Sequence, residues 1–112
     1  MDSFAVGGTT LTIDDTTVAF EYEIGDAIAF DDVVVARFKI PSEVVHNRNV
    51  VAVTEMGTRR WTIPEAPHGP QEDNPYMDIY IQDGELWAGA WLGMAYRVDV
   101  DTGELLNYEF RK

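Results

Sequence analysis

Residues 76–110 read YMDIYIQDGELWAGAWLGMAYRVDVDTGELLNYEF, and the punctuation of this stretch decides the fold. Short alternating runs are separated by Asp83-Gly84, Leu92-Gly93 and Asp101-Thr102-Gly103, which predicts strands over 76–82, 85–91, 94–100 and 104–110. Asp-Gly between such runs is a strong hairpin signal, because a two-residue type I′ turn needs positive φ at both central positions. Met94, Tyr96, Val98 and Val100 share one face opposite Ala95, Arg97 and Asp99, while Leu106, Tyr108 and Phe110 share one opposite Leu105, Asn107 and Glu109. Four strands joined by short turns make an antiparallel meander.

The period of two continues upstream. Val18, Phe20, Tyr22 and Ile24 alternate with Thr17, Ala19, Glu21 and Glu23, the pattern of a strand with one buried face. Thr9–Ile13 precedes it across Asp14-Asp15-Thr16, which has turn composition, so the two runs form a hairpin. Val34, Ala36, Phe38 and Ile40 alternate with Val33, Val35, Arg37 and Lys39 until Pro41 removes a donor. After a loop around His46-Asn47-Arg48-Asn49, the run Val50–Val53, the turn Glu55-Met56-Gly57-Thr58 and the run Arg59–Ile63 make a second hairpin, with Trp61 and Ile63 on one face.

Residues 64–75 hold Pro64, Pro67, Pro70 and Pro75 with Gly69 and are irregular. The one helical start, Ser42–Val45 with Ser42 as cap, is too short to stand alone. Roughly eight short strands bury one face each most economically in two layers or a closed barrel. The chain is therefore expected to be a single all-β domain over 1–112: a small antiparallel β-sandwich or barrel built from consecutive hairpins, with a C-terminal four-stranded meander. Met1–Ala5 are expected to fray.

Composition bounds the function. The 112 residues are 46% apolar, enough for one core, and carry a net charge of −12. No cysteine is present, which excludes disulfides, zinc-thiolate sites and thiol nucleophiles. Eleven of the twenty acids are Asp, and the eight bases are six Arg and two Lys. A surface dense in small carboxylates repels itself at low salt and stays hydrated in molar salt, so the composition points to a halophilic protein, the alternative being a merely acidic domain. Such a surface disfavours nucleic acid as a partner. With no apolar run near membrane-spanning length and an acidic start that does not fit a secretion signal, the sequence predicts a soluble cytoplasmic protein with no membrane partner.

Charge is unevenly distributed. Residues 1–35 hold eight acids and no base, 36–63 five bases and two acids, and 64–112 ten acids and three bases. Arg37, Lys39, Arg48, Arg59 and Arg60 either form an anion site or pair with Glu21, Glu23 or Asp78 across a sheet, and pairing is the expectation.

Two resemblances rest on particular residues. Asn49–Ile63, Asp83–Ala88 and Tyr96–Leu106 resemble blades of quinoprotein-type β-propeller repeats, the shared element being Asp99 with Thr102-Gly103 ahead of a strand. Two blades' worth of chain does not close a ring, so that resemblance implies no cofactor at a propeller axis. Over about residues 25–112, the order Asn47-Arg48-Asn49-Val50, Trp61, Pro67-His68-Gly69, Asn74-Pro75-Tyr76 and Trp91 with Gly93 resembles a group of small uncharacterised bacterial and archaeal β-proteins. The chain's composition would make it a haloarchaeal-type member, and the resemblance brings no activity with it.

Catalytic motifs are scarce. The serines, Ser3 and Ser42, lack the flanking glycines of a nucleophile elbow. His46 and His68 stand alone in their loops, so no metal site is expected. Asp99-x-Asp101-x-Gly103 places glycine fifth, where a calcium-binding EF-hand has it sixth, and reads as a turn capped by Asp101 with Gly103 at positive φ. Gly7-Gly8 has no phosphate-loop lysine. Asp78 and Glu85 are the carboxylates to inspect for a raised pKa, although alternation places Asp78 opposite Met77 and Ile79, on the wet face.

Aromatics give the best cue. Trp87 and Trp91 fall on one strand face with Gly89 between them, either as a slot for a ring, sugar or partner backbone with Trp61 adjacent, or as core in which Gly89 admits a large neighbour. The expectation is a non-enzymatic binding or assembly module without cofactor. Its candidate contacts are Trp61, His68, Trp87, Trp91 and Arg60, and its partner a second copy, another protein or a small molecule. The alternative is a small hydrolase or isomerase in a barrel mouth, with His68 or Asp78 as base and Arg60 or Arg97 holding an anionic substrate.

Overall fold

A computed structural model of the chain describes residues 3–68 and 73–111. Met1 and Asp2 of the start expected to fray, Gly69 to Glu72 of the Pro-rich segment, and Lys112 lie outside the described residues. Strands β1 (Phe4–Gly7), β2 (Thr10–Ile13) and β3 (Thr16–Ala19) form one antiparallel sheet. Strands β4 (Glu23–Phe30), β5 (Val33–Lys39), β6 (Val50–Thr54) and β7 (Arg59–Thr62) form a second. Strands β8 (Asp78–Gln82), β9 (Glu85–Gly89), β10 (Met94–Val98) and β11 (Leu105–Phe110) form the third, the predicted C-terminal meander.

Burial assigns the layers. Val33 and Val35 of β5, Val50 and Ala52 of β6, and Trp61 of β7 pack with Ile79, Leu86, Ala88, Tyr96 and Val98 of the third sheet. Val34, Ala36 and Phe38 of β5 with Val51 and Val53 of β6 pack the opposite way, on Leu11 and Ile13 of β2. The middle sheet is thus buried on both faces, and of the expected architectures the sandwich is the one formed, with a third layer added. Val33-Val34-Val35-Ala36 and Val50-Val51-Ala52-Val53 carry no polar alternation because neither of their faces meets water. Each fully buried valine contributes about 1.5–3 kcal/mol, so these two strands anchor both cores.

Several boundaries differ from expectation. The alternating run 17–24 is not one strand: β3 ends at Ala19 in the first sheet and β4 begins at Glu23 in the second. Phe20 N–H still bonds to Thr9 O and Ile24 N–H to Gly8 O, and Val18, Phe20, Tyr22 and Ile24 all face the same core. The alternation reports the buried face through a change of sheet. Strand β4 pairs with β5 across Asp31-Asp32, an unforeseen hairpin with Asp31 at φ 54° in place of glycine. Phe4 and Ala5, expected to fray, pair with Ile13 and Thr12 in β1. Asp83 and Gly84 take φ 54° and 76°, as the type I′ reading requires. In the β10–β11 loop Gly103 has positive φ as expected, but Asp99 is the cap, its Oδ1 accepting from Asp101 N–H at 2.8 Å. The segment Ser42–Val45 forms no helix, only a turn in which Val44 N–H donates to Pro41 O.

Candidate functional site

A cleft of about 340 Å³ opens where the end of β5 and residues 40–44 face the segment 73–77 and Trp91. Its walls are set by buried asparagine amides. Asn49, 1% exposed, donates through Nδ2 to Phe38 O and Tyr76 O, both at 3.0 Å, and its Oδ1 accepts Tyr76 N–H at 2.8 Å. The side chain thereby replaces a strand partner for a segment that is not itself in a sheet. Asn47 Oδ1 accepts Asn74 N–H at 2.8 Å, Asn74 Nδ2 donates to His68 O at 2.9 Å, and Tyr76 Oη donates to Pro64 O at 2.7 Å. Burial raises the Tyr76 pKa, reinforced by Tyr96 and Glu65, so its hydroxyl stays a donor.

Residues 73–77 are therefore pinned against the end of β5, and Pro75, Tyr76 and Met77 form a wall of the cleft. Trp91 is not on β9, which stops at Gly89; it opens the 3-10 turn Trp91–Gly93 and is 47% exposed. That turn is closed by Met94 N–H to Trp91 O and tied to β11 by Arg111 N–H to Gly93 O. Gly93, at φ 79°, has no room for a side chain against the Arg111 carbonyl. Met77, 48% exposed, lines the cleft with Trp91.

Arg37 supplies the charge. Its Nε donates to Asp26 Oδ2 at 2.7 Å, and its two terminal nitrogens make no hydrogen bond among the described residues. Gly25, at the β4 bulge, leaves the space the guanidinium needs: a Cβ there would stand 2.6 Å from Arg37 Nη2. Lys39 lines the same cleft and pairs with Glu23 at 3.1 Å.

The other sequence-predicted residues do not converge on this cleft. Trp61 packs in the core between the second and third sheets, its Nε1 donating to Val100 O at 2.7 Å and its ring resting on Gly103. Trp87 projects from the outer face of the third sheet and is 7% exposed, covered by the Arg111 guanidinium 4.3 Å from its ring. Gly89 makes room for Asp78 across the β8–β9 pair, so the proposed tryptophan slot is filled by a carboxylate. His68 stacks on Tyr96 and lies tilted against Tyr108, with Nδ1 3.1 Å from Tyr96 Oη. Arg60 forms a two-pronged pair with Asp32 at 2.8 and 2.9 Å, whose guanidinium holds the Asp32 carboxyl below its usual range.

The basic block mostly pairs with acids of the N-terminal block, Arg37 with Asp26, Lys39 with Glu23 and Arg60 with Asp32. Arg48 instead donates to Ile63 O and Thr62 O, and Arg59 lies over the Phe20 ring. The residues weighed for hydrolysis are scattered. Asp78 is exposed on the outer face, His68 is engaged by Tyr96, Arg97 pairs with Glu85 and Arg60 with Asp32. Among the described residues no group of three or more His, Asp and Glu is placed to hold a metal ion, and no helix is long and apolar enough to cross a membrane.

Sequence reasoning missed Asn47, Asn49 and Asn74. The available signal was the pair of asparagines two apart leading into the apolar run of β6, which puts both amides on one side of an extended chain. The family model that matches the chain is described as a domain of unknown function, DUF7957, over residues 1–110. The comparison with curated proteins found no match, and neither did the comparison with solved structures.

Proposed function

The chain belongs to the DUF7957 family, whose description assigns no activity, and we propose that it is a non-enzymatic binding module holding a small anionic molecule with an apolar or aromatic body in the Trp91 cleft. One observation carries the reading: exposed Trp91 and Met77 share a cleft with a guanidinium whose terminal nitrogens have no acceptor among the described residues. The volume lies in the range of small-molecule sites, and an apolar wall with a few convergent polar groups is their usual composition. Trp91 offers a ring face for stacking, and Arg37 offers a planar donor fork for a carboxylate, sulfonate or phosphate. The charged residues lining the cleft are Arg37, Lys39 and Asp73, and both cations are already paired, with Asp26 and Glu23, so an anion would be held by the donor hydrogens left over rather than by a net positive field. Salt-adapted, cytoplasmic operation belongs to the same reading and is supported by the acid-rich, lysine-poor composition.

Two fluorescent probes test it: anilinonaphthalene sulfonate, an aromatic anion, and phenylnaphthylamine, the same rings without the charge. Trp91→Ala is expected to weaken binding of both by about tenfold with little change in melting temperature. Arg37→Gln is expected to weaken the sulfonate by about tenfold or more and leave the neutral probe unchanged. Equal affinity of wild type and Trp91→Ala for the sulfonate overturns the reading, because the probe is then held elsewhere.

A further inference from the structure

The third sheet ends in an edge unlike the others. Strand β11 has β10 on one side and, among the described residues, no strand on the other. Leu106, Tyr108 and Phe110 are 47%, 54% and 63% exposed, and Tyr108 and Phe110 lie opposite Tyr96 and Met94 on the side that faces the middle sheet. That sheet covers Tyr96 but leaves these side chains in water. An exposed apolar edge strand is ordinarily blunted by lysine, proline or a bulge twisting it away. Strand β11 carries neither lysine nor proline, its bulge lies at its first residues, and its one charged residue is Glu109, held by Arg111 at 2.7 Å.

We propose that β11 is the seat of a second copy of this chain, the two β11 strands pairing antiparallel about a two-fold axis at Tyr108. Three observations select this occupant and register. Arg111 N–H bonds back to Gly93 O, so in the alternating antiparallel ladder the backbone groups of Tyr108 and Phe110 face the open edge. Tyr108 N–H is taken instead by the Asn107 side chain at 2.9 Å, a local substitute for a strand partner. A ladder centred on Tyr108 sets Tyr108 against its own copy and Leu106 against Phe110 of the partner subunit, so the outward-facing backbone groups and the three apolar side chains are matched together, the Asn107 side chain giving up Tyr108 N–H to the partner strand. On the other side of the strand, Asn107 then stands opposite Glu109 of the partner subunit, and no two like charges face each other. For a chain of net charge −12 this nearly neutral strip is where a second polyanion can approach most closely. The dimer has one continuous eight-stranded sheet.

Light-scattering mass across concentration, at low and at molar KCl, reads the association. A dimer is expected, tighter in molar salt, where screening shortens the range of repulsion to about 3 Å. Phe110→Lys and Tyr108→Pro are each expected to weaken dimerisation by about tenfold or more, the proline by removing both the outward-facing N–H and the ring that rests against His68 and Tyr96. The chain has no cysteine, so crosslinking reads the register directly. Tyr108→Cys should form a disulfide dimer on mild oxidation, whereas Leu106→Cys and Phe110→Cys should do so only when both are present in one chain. A wild type that stays monomeric at high concentration in molar KCl overturns the proposal. So does a dimer whose affinity is unchanged by Phe110→Lys and Tyr108→Pro while both variants keep the wild-type melting curve, or one that crosslinks through the single Phe110→Cys as readily as through Tyr108→Cys.

Discussion

Asn49 does by side chain what the rest of the molecule does by strand pairing. Its amide satisfies Phe38 O, Tyr76 O and Tyr76 N–H in a site 1% exposed, and removing it orphans all three. Since each unsatisfied buried group costs about 1–3 kcal/mol, Asn49→Ala should destabilise by roughly 2–4 kcal/mol after relaxation and should loosen the Trp91 cleft. Asn49→Asp separates hydrogen bonding from shape. The carboxylate keeps the acceptor for Tyr76 N–H but turns a negative charge on two carbonyl oxygens, so its folded-state pKa is raised above the unfolded value. The sign then follows: the charge penalty is full above the folded pKa and is relieved as pH falls through it, when the protonated acid donates to one carbonyl. Urea denaturation at several pH values checks both variants. A loss below about 0.5 kcal/mol for Asn49→Ala would show that the amide is not what holds residues 74–77. This residue was not legible in advance because its partner, Tyr76, lies 27 positions away across a Pro-rich segment with no periodicity.

At the scale of elements, what the sequence discloses depends on how many faces each strand buries. The meander was readable because its turns carry Asp-Gly, Leu-Gly and Thr-Gly, and because β8 and β10 alternate between core and exterior. Strand β4 escaped notice since Gly25 and three small or acidic residues, Asp26, Ala27 and Ala29, dilute its pattern, and its turn uses Asp31 where glycine would have announced it. Trp91 was misplaced onto β9 because period two runs unbroken from Glu85 to Trp91, and only the tie between Gly93 and Arg111 reveals the 3-10 turn. The valine runs of β5 and β6 test the three-layer stack directly. Val34 faces the first sheet and Val35 the third, both wholly buried. Val34→Thr and Val35→Thr should therefore cost similar amounts, roughly 1–3 kcal/mol each, for burying a hydroxyl. In a two-layer sandwich one of the pair would meet water and tolerate threonine, so equilibrium denaturation showing one costly and one neutral substitution would remove the third layer.

For the whole molecule, electrostatics becomes a question of where the acids sit relative to the bases. The base-free N-terminal block does not stand alone: Glu23, Asp26 and Asp32 lie against Lys39, Arg37 and Arg60 of the basic block, joined through the β4–β5 hairpin and its turn. These pairs are exposed or half-exposed and each is worth little, so they leave most of the surplus of twelve acids uncompensated. Repulsion among the remainder is long-ranged at low salt, where the screening length is about 30 Å at 0.01 M, close to the size of the domain, and short-ranged at about 3 Å in 1 M salt. Folding brings these carboxylates closer together than the unfolded chain does, so screening must favour the folded state. The melting temperature should rise steeply over the first few tenths molar KCl and then level off. The ion pairs oppose this trend, because salt screens attraction as well, but the five weak pairs among the described residues are outweighed by a net surplus of twelve acids. Variants with fewer acids sharpen the test: replacing the exposed Asp15 and Asp83 by Asn should raise the melting temperature at low salt and flatten its dependence on KCl. Thermal denaturation followed by tryptophan fluorescence from 0.01 to 2 M KCl reads both effects. A melting temperature that falls with added KCl would mean that attraction dominates the charge balance, and salt adaptation would then have no physical basis in this chain.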